Sequence, residues 1–264
     1  MRILTLEFSS PQRSVAVMSV PEGGTLRRPQ AKSEILPQGG TKSETGRRPG
    51  KFAPPNLPVL GATSAVSVSE VIETTAGNTM KPLGMVKEAL EQAGLEREQI
   101  ECLVIGLGPG SYTGIRAALS LAQGWQLARG VKLLGISSAE CVAAQAQADG
   151  IRGRVNVVID AQRKEFYLAG YELDADGWHE TAPLRLAGLG EARDLEQGGG
   201  ILAGPEVARW FPNGRAIFPR AAVLGKLALT RNNFSAGEKL EPIYLRKAEF
   251  VKAAPGRPAA ASAR

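Results

Sequence analysis

The 264-residue sequence holds one histidine, His179, two cysteines, Cys102 and Cys141, and no apolar run approaching the roughly 20 residues that span a bilayer. Each scarcity removes a class of function. A single imidazole with no cysteine cluster beside it cannot assemble a multi-ligand metal centre, so no metal site is expected and metal-dependent proteolysis is set aside. Ser111 has no histidine near it in sequence, and a hydrolase triad would have to recruit His179 from the polar run 174–179, which reads as a loop. The two cysteines lie far apart and read as small core residues in a reducing compartment rather than as a disulfide or a nucleophile. The chain does not open with a charged segment leading into a long apolar one. A cytoplasmic protein with no membrane partner is the expectation.

What is present is a hydrophobic content of 43%, enough for one large or two small lobes with substantial cores. The net charge of +6 invites a nucleic-acid reading until its distribution is followed. Residues 21–60 carry +4 and residues 246–264 another +4, which leaves the remaining body at −2. On that distribution no basic RNA-reading face is expected.

The sequence is organised around residues 101–130. The apolar run 101–105 suits a strand buried on both faces, and Gly106, Gly108 and Gly110 then allow a tight turn that Pro109 stiffens. Ser111 or Thr113 can cap a helix whose apolar stripe runs through Ile115, Ala118, Leu119 and Ala122 to a stop at Gly130. A strand, glycine loop and helix N-terminus can cradle an anion. The loop nevertheless lacks the Lys-Ser/Thr pair of a Walker motif and the spacing of a dinucleotide fingerprint, and its small residues equally suit close packing alone.

Four stretches carry a resemblance. GLGPGSYTGIRAALSLAQGWQLARGVKLLGISSAE (106–140) resembles the signature of the TsaB (YeaZ) family, and RILTLEFSS (2–10), VIDAQRKEFYLAGYEL (158–173) and PIYLRKAEF (242–250) resemble further segments of that family in the same order. That resemblance implies an α/β fold of the actin-like ATPase, ribonuclease H-like class, with two lobes of mixed sheet flanked by helices. It implies a non-catalytic subunit, with no catalytic residue of its own, supporting a TsaD-type transferase that places threonylcarbamoyl on N6 of adenosine 37 in tRNAs reading codons that begin with A. No cofactor is implied for this subunit. ATP would act through a TsaE-type ATPase and a metal ion in the TsaD-type subunit, tRNA would be met only indirectly, and a homodimer is a further possible assembly.

Around that centre the chain divides into an N-terminal lobe over 1–152, a smaller C-terminal lobe over 153–250 and a disordered tail over 251–264. Residues 3–8 and 14–20 read as a hairpin, and residues 155–159 and 166–171 repeat the layout, with Glu7 and Asp160 at equivalent strand ends. Residues 21–65, rich in Pro, Gly, Ser and basic side chains, read as a disordered insertion. A strand is expected at 66–72, a helix over 80–93, a strand at 131–136, and a helix to about 148 opened by a capping box at 137–140. Further on, a strand is expected at 184–186, a helix at 191–196, a strand at 201–205, and helices at 206–210 and 221–231.

In actin-like ATPases the acidic residues at the two first-strand ends organise a magnesium-bound phosphate. Here the first is Glu7 where the family resemblance implies Asp, and relatives carry a His-Ser pair where this chain has Gly77, Asn78 and Thr79. Glu7, Ser9, Gly108, Gly110, Ser111 and Asp160 are therefore read as positions of a vestigial phosphate-loop cleft. The face implied for TsaD or for a second copy comprises Leu83, Val86 and Leu90 of the first helix with Thr113, Ala117, Ala118, Ala122 and Gly124 of the second, although small residues there also suit packing on their own sheet. The alternative to a scaffold is an actin-like ATPase or small-molecule kinase with its own nucleotide site, for which Gly198, Gly199, Gly200 and Gly204 could serve as an adenine-side turn.

Overall fold

The computed structural model describes residues 1–21, 66–74 and 81–246. The expected insertion, apart from Pro21, lies outside the described residues, as do Gly77, Asn78, Thr79, Met80, the last four residues of the expected C-terminal lobe (247–250) and the expected tail 251–264. The N-terminal apolar runs form β1 (Arg2–Glu7) and β2 (Gln12–Ser19), antiparallel with Leu4 opposite Val17, and β3 (Ser67–Thr74) extends the sheet from β2. Helix α1 (Pro82–Ala93) takes proline in its first turn and stops at Gly94, which adopts φ 64°. Strand β4 (Cys102–Gly106) pairs parallel with β1. Helix α2 (Tyr112–Arg129) carries the chain over to β5 (Lys132–Ile136), parallel to β4, and α3 (Ser138–Ala148) follows.

The second half repeats this plan. Strands β6 (Gly153–Asp160) and β7 (Glu165–Leu173) form a hairpin, β8 (Trp178–Gly188) extends it, and after α4 (Leu189–Gln197) β9 (Ile201–Gly204) returns parallel to β6. Strand β10 (Arg215–Ala216) and α5 (Ala221–Ala228) complete it. The sheet orders are β3-β2-β1-β4-β5 and β8-β7-β6-β9-β10, with the same strand senses at each place. The repeat seen in the two hairpins thus extends over all five strands of each sheet, and the fold is the actin-like, ribonuclease H-like α/β architecture.

Several expectations are corrected. His179 lies in β8 opposite Glu172, not in a loop, because β8 runs eleven residues rather than the three expected at 184–186. Residues 206–210 form only a 3-10 turn at Val207–Arg209, and α5 stops at Ala228. The capping box at 137–140 does not form: Ser137 makes no side-chain cap, and Glu140 pairs with Arg231 instead. Both cysteines are buried and unpaired. No helix among the described residues is long and apolar enough to cross a membrane.

One face of the first sheet packs Leu4, Leu6, Val15 and Val17 against Met85 of α1 and Ile115, Ala118 and Leu119 of α2. The other face offers Ile3, Met18 and Val104 to a core shared with α3, α5 and the inner face of the second sheet, including Val155 and Val157. Helix α5 therefore covers the first sheet although it belongs to the second half of the chain. It approaches closely: a Cβ on Gly225 would lie 1.9 Å from Met18 Sδ. Its first free N–H groups are satisfied from that sheet, Ala221 N donating to Ser14 Oγ at 2.8 Å and Ala222 N to Glu70 Oε1 at 3.0 Å.

Candidate functional site

Two regions carry the residues singled out by the sequence. The first is the corner where β1 and β4 end. Gly106 is required here because a Cβ would lie 2.0 Å from Glu7 Oε2, and Gly110, at φ 146°, because a Cβ would lie 2.1 Å from the Ser9 carbonyl. Ser111 caps α2 by accepting from Gly114 N at 3.3 Å, and its own N–H donates to Ser9 O at 2.7 Å. Thr113 is exposed on the first turn and does not act as the cap.

Glu7 is wholly buried. Its Oε1 accepts from Ser9 N at 2.8 Å and its Oε2 accepts from Ser138 Oγ at 3.0 Å. Ser138 Oγ in turn accepts from Gly108 N at 3.1 Å, and Ser138 N donates to Gly108 O at 2.8 Å. Burial pushes the Glu7 carboxyl above the 4.5 of an ordinary glutamate, and the hydrogen bonds from Ser9 and Ser138 only partly offset this. Ser138 is the member of this cluster that the sequence reading assigned elsewhere. It stands 131 residues from Glu7, and no spacing rule joins them.

The corner thus brings together Glu7, Ser9, Gly108, Gly110 and Ser111, with their polar groups turned on one another. A fully buried carboxylate with both oxygens engaged does not fit a magnesium-bound phosphate, which requires an oxygen open to the cleft. Asp160 holds the equivalent place on the second sheet, its Oδ1 accepting from Gln162 N at 2.7 Å as Glu7 accepts from Ser9. Beside it, burial and then the Asp160 charge push Glu206 upward. Among the described residues no three His, Cys, Asp or Glu side chains converge to hold a metal ion.

The second region is a groove of about 1080 Å³ between α1 and α2, lined by Leu83, Val86, Leu90, Leu121, Gly124 and Trp125 with a rim of mixed charge. Leu83 is 67% exposed and Leu127, on the next turn of α2, 91% exposed. Val86 and Leu90 are buried and contribute the floor. Gly124 is exposed, with nothing within 4 Å of where a Cβ would stand, and Ala117 is half-buried. Ala118 and Ala122 correct the expected face: both are completely buried in the core shared with the first sheet, so no partner can touch them.

A third feature gives the closing segment a place. Ile243 N donates to Leu107 O at 2.9 Å, the Tyr244 ring stacks on Tyr112 with centroids 5.5 Å apart, and Arg246 pairs with Glu165. The segment therefore runs from the glycine loop to the β6–β7 turn.

Known proteins agree with this architecture. A family profile described as "TsaD: tRNA N6-adenosine threonylcarbamoyltransferase" matches residues 80–253. The chain is 30% identical over 197 residues to the tRNA threonylcarbamoyladenosine biosynthesis protein TsaB of Escherichia coli, covering 68% of this chain and 85% of that protein. The protein of the same name from Haemophilus influenzae is 29% identical over 210 residues, with 72% and 88% covered. The solved structure of YeaZ from Pseudomonas aeruginosa superposes with a TM-score of 0.64 at 20% identity, over 92% of this chain and 99% of that one.

Proposed function

Since the chain belongs to the TsaB (YeaZ) family, we propose that it is the non-catalytic scaffold of the bacterial assembly that forms N6-threonylcarbamoyladenosine at position 37 of tRNAs reading codons that begin with A. Its involvement in tRNA threonylcarbamoyladenosine biosynthesis follows from the relatives; the scaffold role rests on the groove between α1 and α2. Exposed Leu83 lines that groove and its floor is apolar, which is the surface a second helical layer would cover. In this reading a TsaD-type subunit occupies the groove and supplies the metal ion, a TsaE-type ATPase supplies ATP turnover, and a second copy of this chain takes the groove when the TsaD-type subunit is absent. An ATPase or kinase of the same fold would need a cleft carboxylate open to phosphate, and Glu7 is closed.

Reconstitution tests the proposal. The isolated chain is expected to transfer no threonylcarbamoyl to tRNA and to release no heat on titration with ATP. Activity is expected to appear on adding TsaD- and TsaE-type subunits, with a stable complex seen by size exclusion and light scattering. Transfer by the isolated chain, or no association with a TsaD-type subunit at micromolar concentration, would overturn it.

A further inference from the structure

We infer that Tyr112, Arg116, Tyr244 and Arg246, together with Arg163 and Lys164 of the β6–β7 turn, form a binding surface for a single-stranded RNA segment. The surface lies at the N-terminal end of α2, whereas the α2 side of the groove is lined from Ser120 onward. Its existence does not depend on the scaffold reading. The choice of RNA does rest on the tRNA pathway inferred above.

The aromatic part is a pair of tyrosines left in solvent. Tyr112 and Tyr244 stack at an interplanar angle of 25°, yet remain 56% and 40% exposed, so ring surface is left over for another flat partner. Both rings are held by rigid elements. Tyr112 sits in the first turn of α2 with its Oη accepting from Arg116 Nη1 at 2.7 Å, and Tyr244 follows the residue whose N–H is tied to Leu107 O. Fixed, exposed aromatic faces are what splayed bases stack upon.

The cationic part is set by an unusual turn. Gln162, Arg163 and Lys164 adopt φ values of 66°, 57° and 62° in succession, a left-handed run that is costly for residues bearing a Cβ. It turns Arg163 and Lys164 into solvent, and neither has a carboxylate partner among the described residues. Arg246 joins this turn to the tyrosines: it lies two residues past Tyr244, reaches Gln162 O at 3.4 Å and pairs with Glu165. Four cations therefore stand against Glu165, already paired, Asp160, whose Oδ1 is held by Gln162 N, and the largely buried Glu206 beside it. On a body that is otherwise slightly acidic, this combination of positive charge and stacked rings suits a phosphate backbone with unpaired bases. It departs from the expectation that tRNA is met only indirectly.

Fluorescence anisotropy of the full chain with a labelled, unstructured RNA of about 12 nucleotides tests this surface. The wild type is expected to bind, and to bind a duplex of the same composition more weakly. Replacing both tyrosines, Tyr112→Ala with Tyr244→Ala, is expected to weaken binding about tenfold or more, and the paired Phe substitutions to restore it. Arg163→Ala with Lys164→Ala is expected to lower the slope of log affinity against log salt by about 1.4. Co-elution of the same variants with a TsaD-type subunit reports folding and the groove independently, so loss of RNA with retained co-elution supports the surface. No binding by the wild type, equal affinity for the duplex, or undiminished binding by the variants would overturn it, the last by placing RNA on the basic stretches 21–60 and 247–264.

Discussion

Glu7 is buried at a strand end where an open acid would serve phosphate chemistry, and it is engaged instead by Ser9 and Ser138. It holds the hairpin turn, the glycine loop and the start of α3 in one place. Its raised folded value has a definite consequence for stability. Below about 4.5 the carboxyl is protonated in both the folded and the unfolded chain; as pH rises toward the folded value, only the unfolded chain releases its proton freely, and folding loses stability. Glu7→Gln removes that titration at nearly the same shape, keeping one of the two acceptor oxygens. The thermal midpoint of Glu7→Gln relative to wild type is expected to rise between pH 4.5 and pH 7, and parallel curves would show that Glu7 is not destabilised by ionisation. Glu7→Ala, which leaves the Ser9 and Ser138 donors buried without an acceptor, is expected to lose on the order of 2–4 kcal/mol at neutral pH.

At the scale of elements, α2 shows two sides that its composition does not separate. Ala118 and Ala122 look like Gly124 in a list of small residues, but they fall on the stripe with Ile115 and Leu119 that packs on the first sheet, and Gly124 falls off it. The helical period, rather than residue size, held the answer. Gly124→Arg is therefore expected to leave the thermal midpoint nearly unchanged and to abolish co-elution with a TsaD-type subunit, whereas Ala118→Arg is expected to cost more than about 3 kcal/mol by forcing a charge into the core. Gly124→Arg with unchanged co-elution would move the partner's seat elsewhere. The same distinction explains what could be read in advance. β1, β2, β6 and β7 are rich in apolar residues and buried along most of their lengths, with polar residues gathered at their ends, so their hairpins were legible. β8 buries only Trp178 and Ala187 fully; its apolar alternation is confined to Ala182, Leu184 and Leu186, and the polar stretch from His179 to Thr181 hides its start, while β10 is two residues long, too short to leave a pattern. The stacked tyrosines and the Glu7–Ser138 link join distant segments, for which one sequence offers no signal.

For the molecule as a whole, the decisive feature is that the two halves share a plan but not their covers. The repeat of sheet order was foreshadowed by the equivalent hairpins ending at Glu7 and Asp160. That α5 would cross back onto the first sheet was not, because its apolar pattern says that it is buried and not against what. Thr5 Oγ1 donates to Ala221 O at 2.8 Å, so the crossing is fixed by buried hydrogen bonds as well as by packing. Gly225→Val is expected to destabilise the whole protein by about 1–3 kcal/mol, because the added side chain meets Met18 and Thr5, both fully buried. A single shifted transition by calorimetry would agree, and an unchanged one would show that α5 is free to move. The crossing also bears on how the protein is made. While the ribosome is still adding the second half, the sheet face bearing Ile3, Met18 and Val104 lacks its α5 cover, which is complete only once residue 228 has cleared the exit tunnel. A nascent chain stalled before that point presents a sticky, half-finished sheet, and this is the moment at which a chaperone has something to hold.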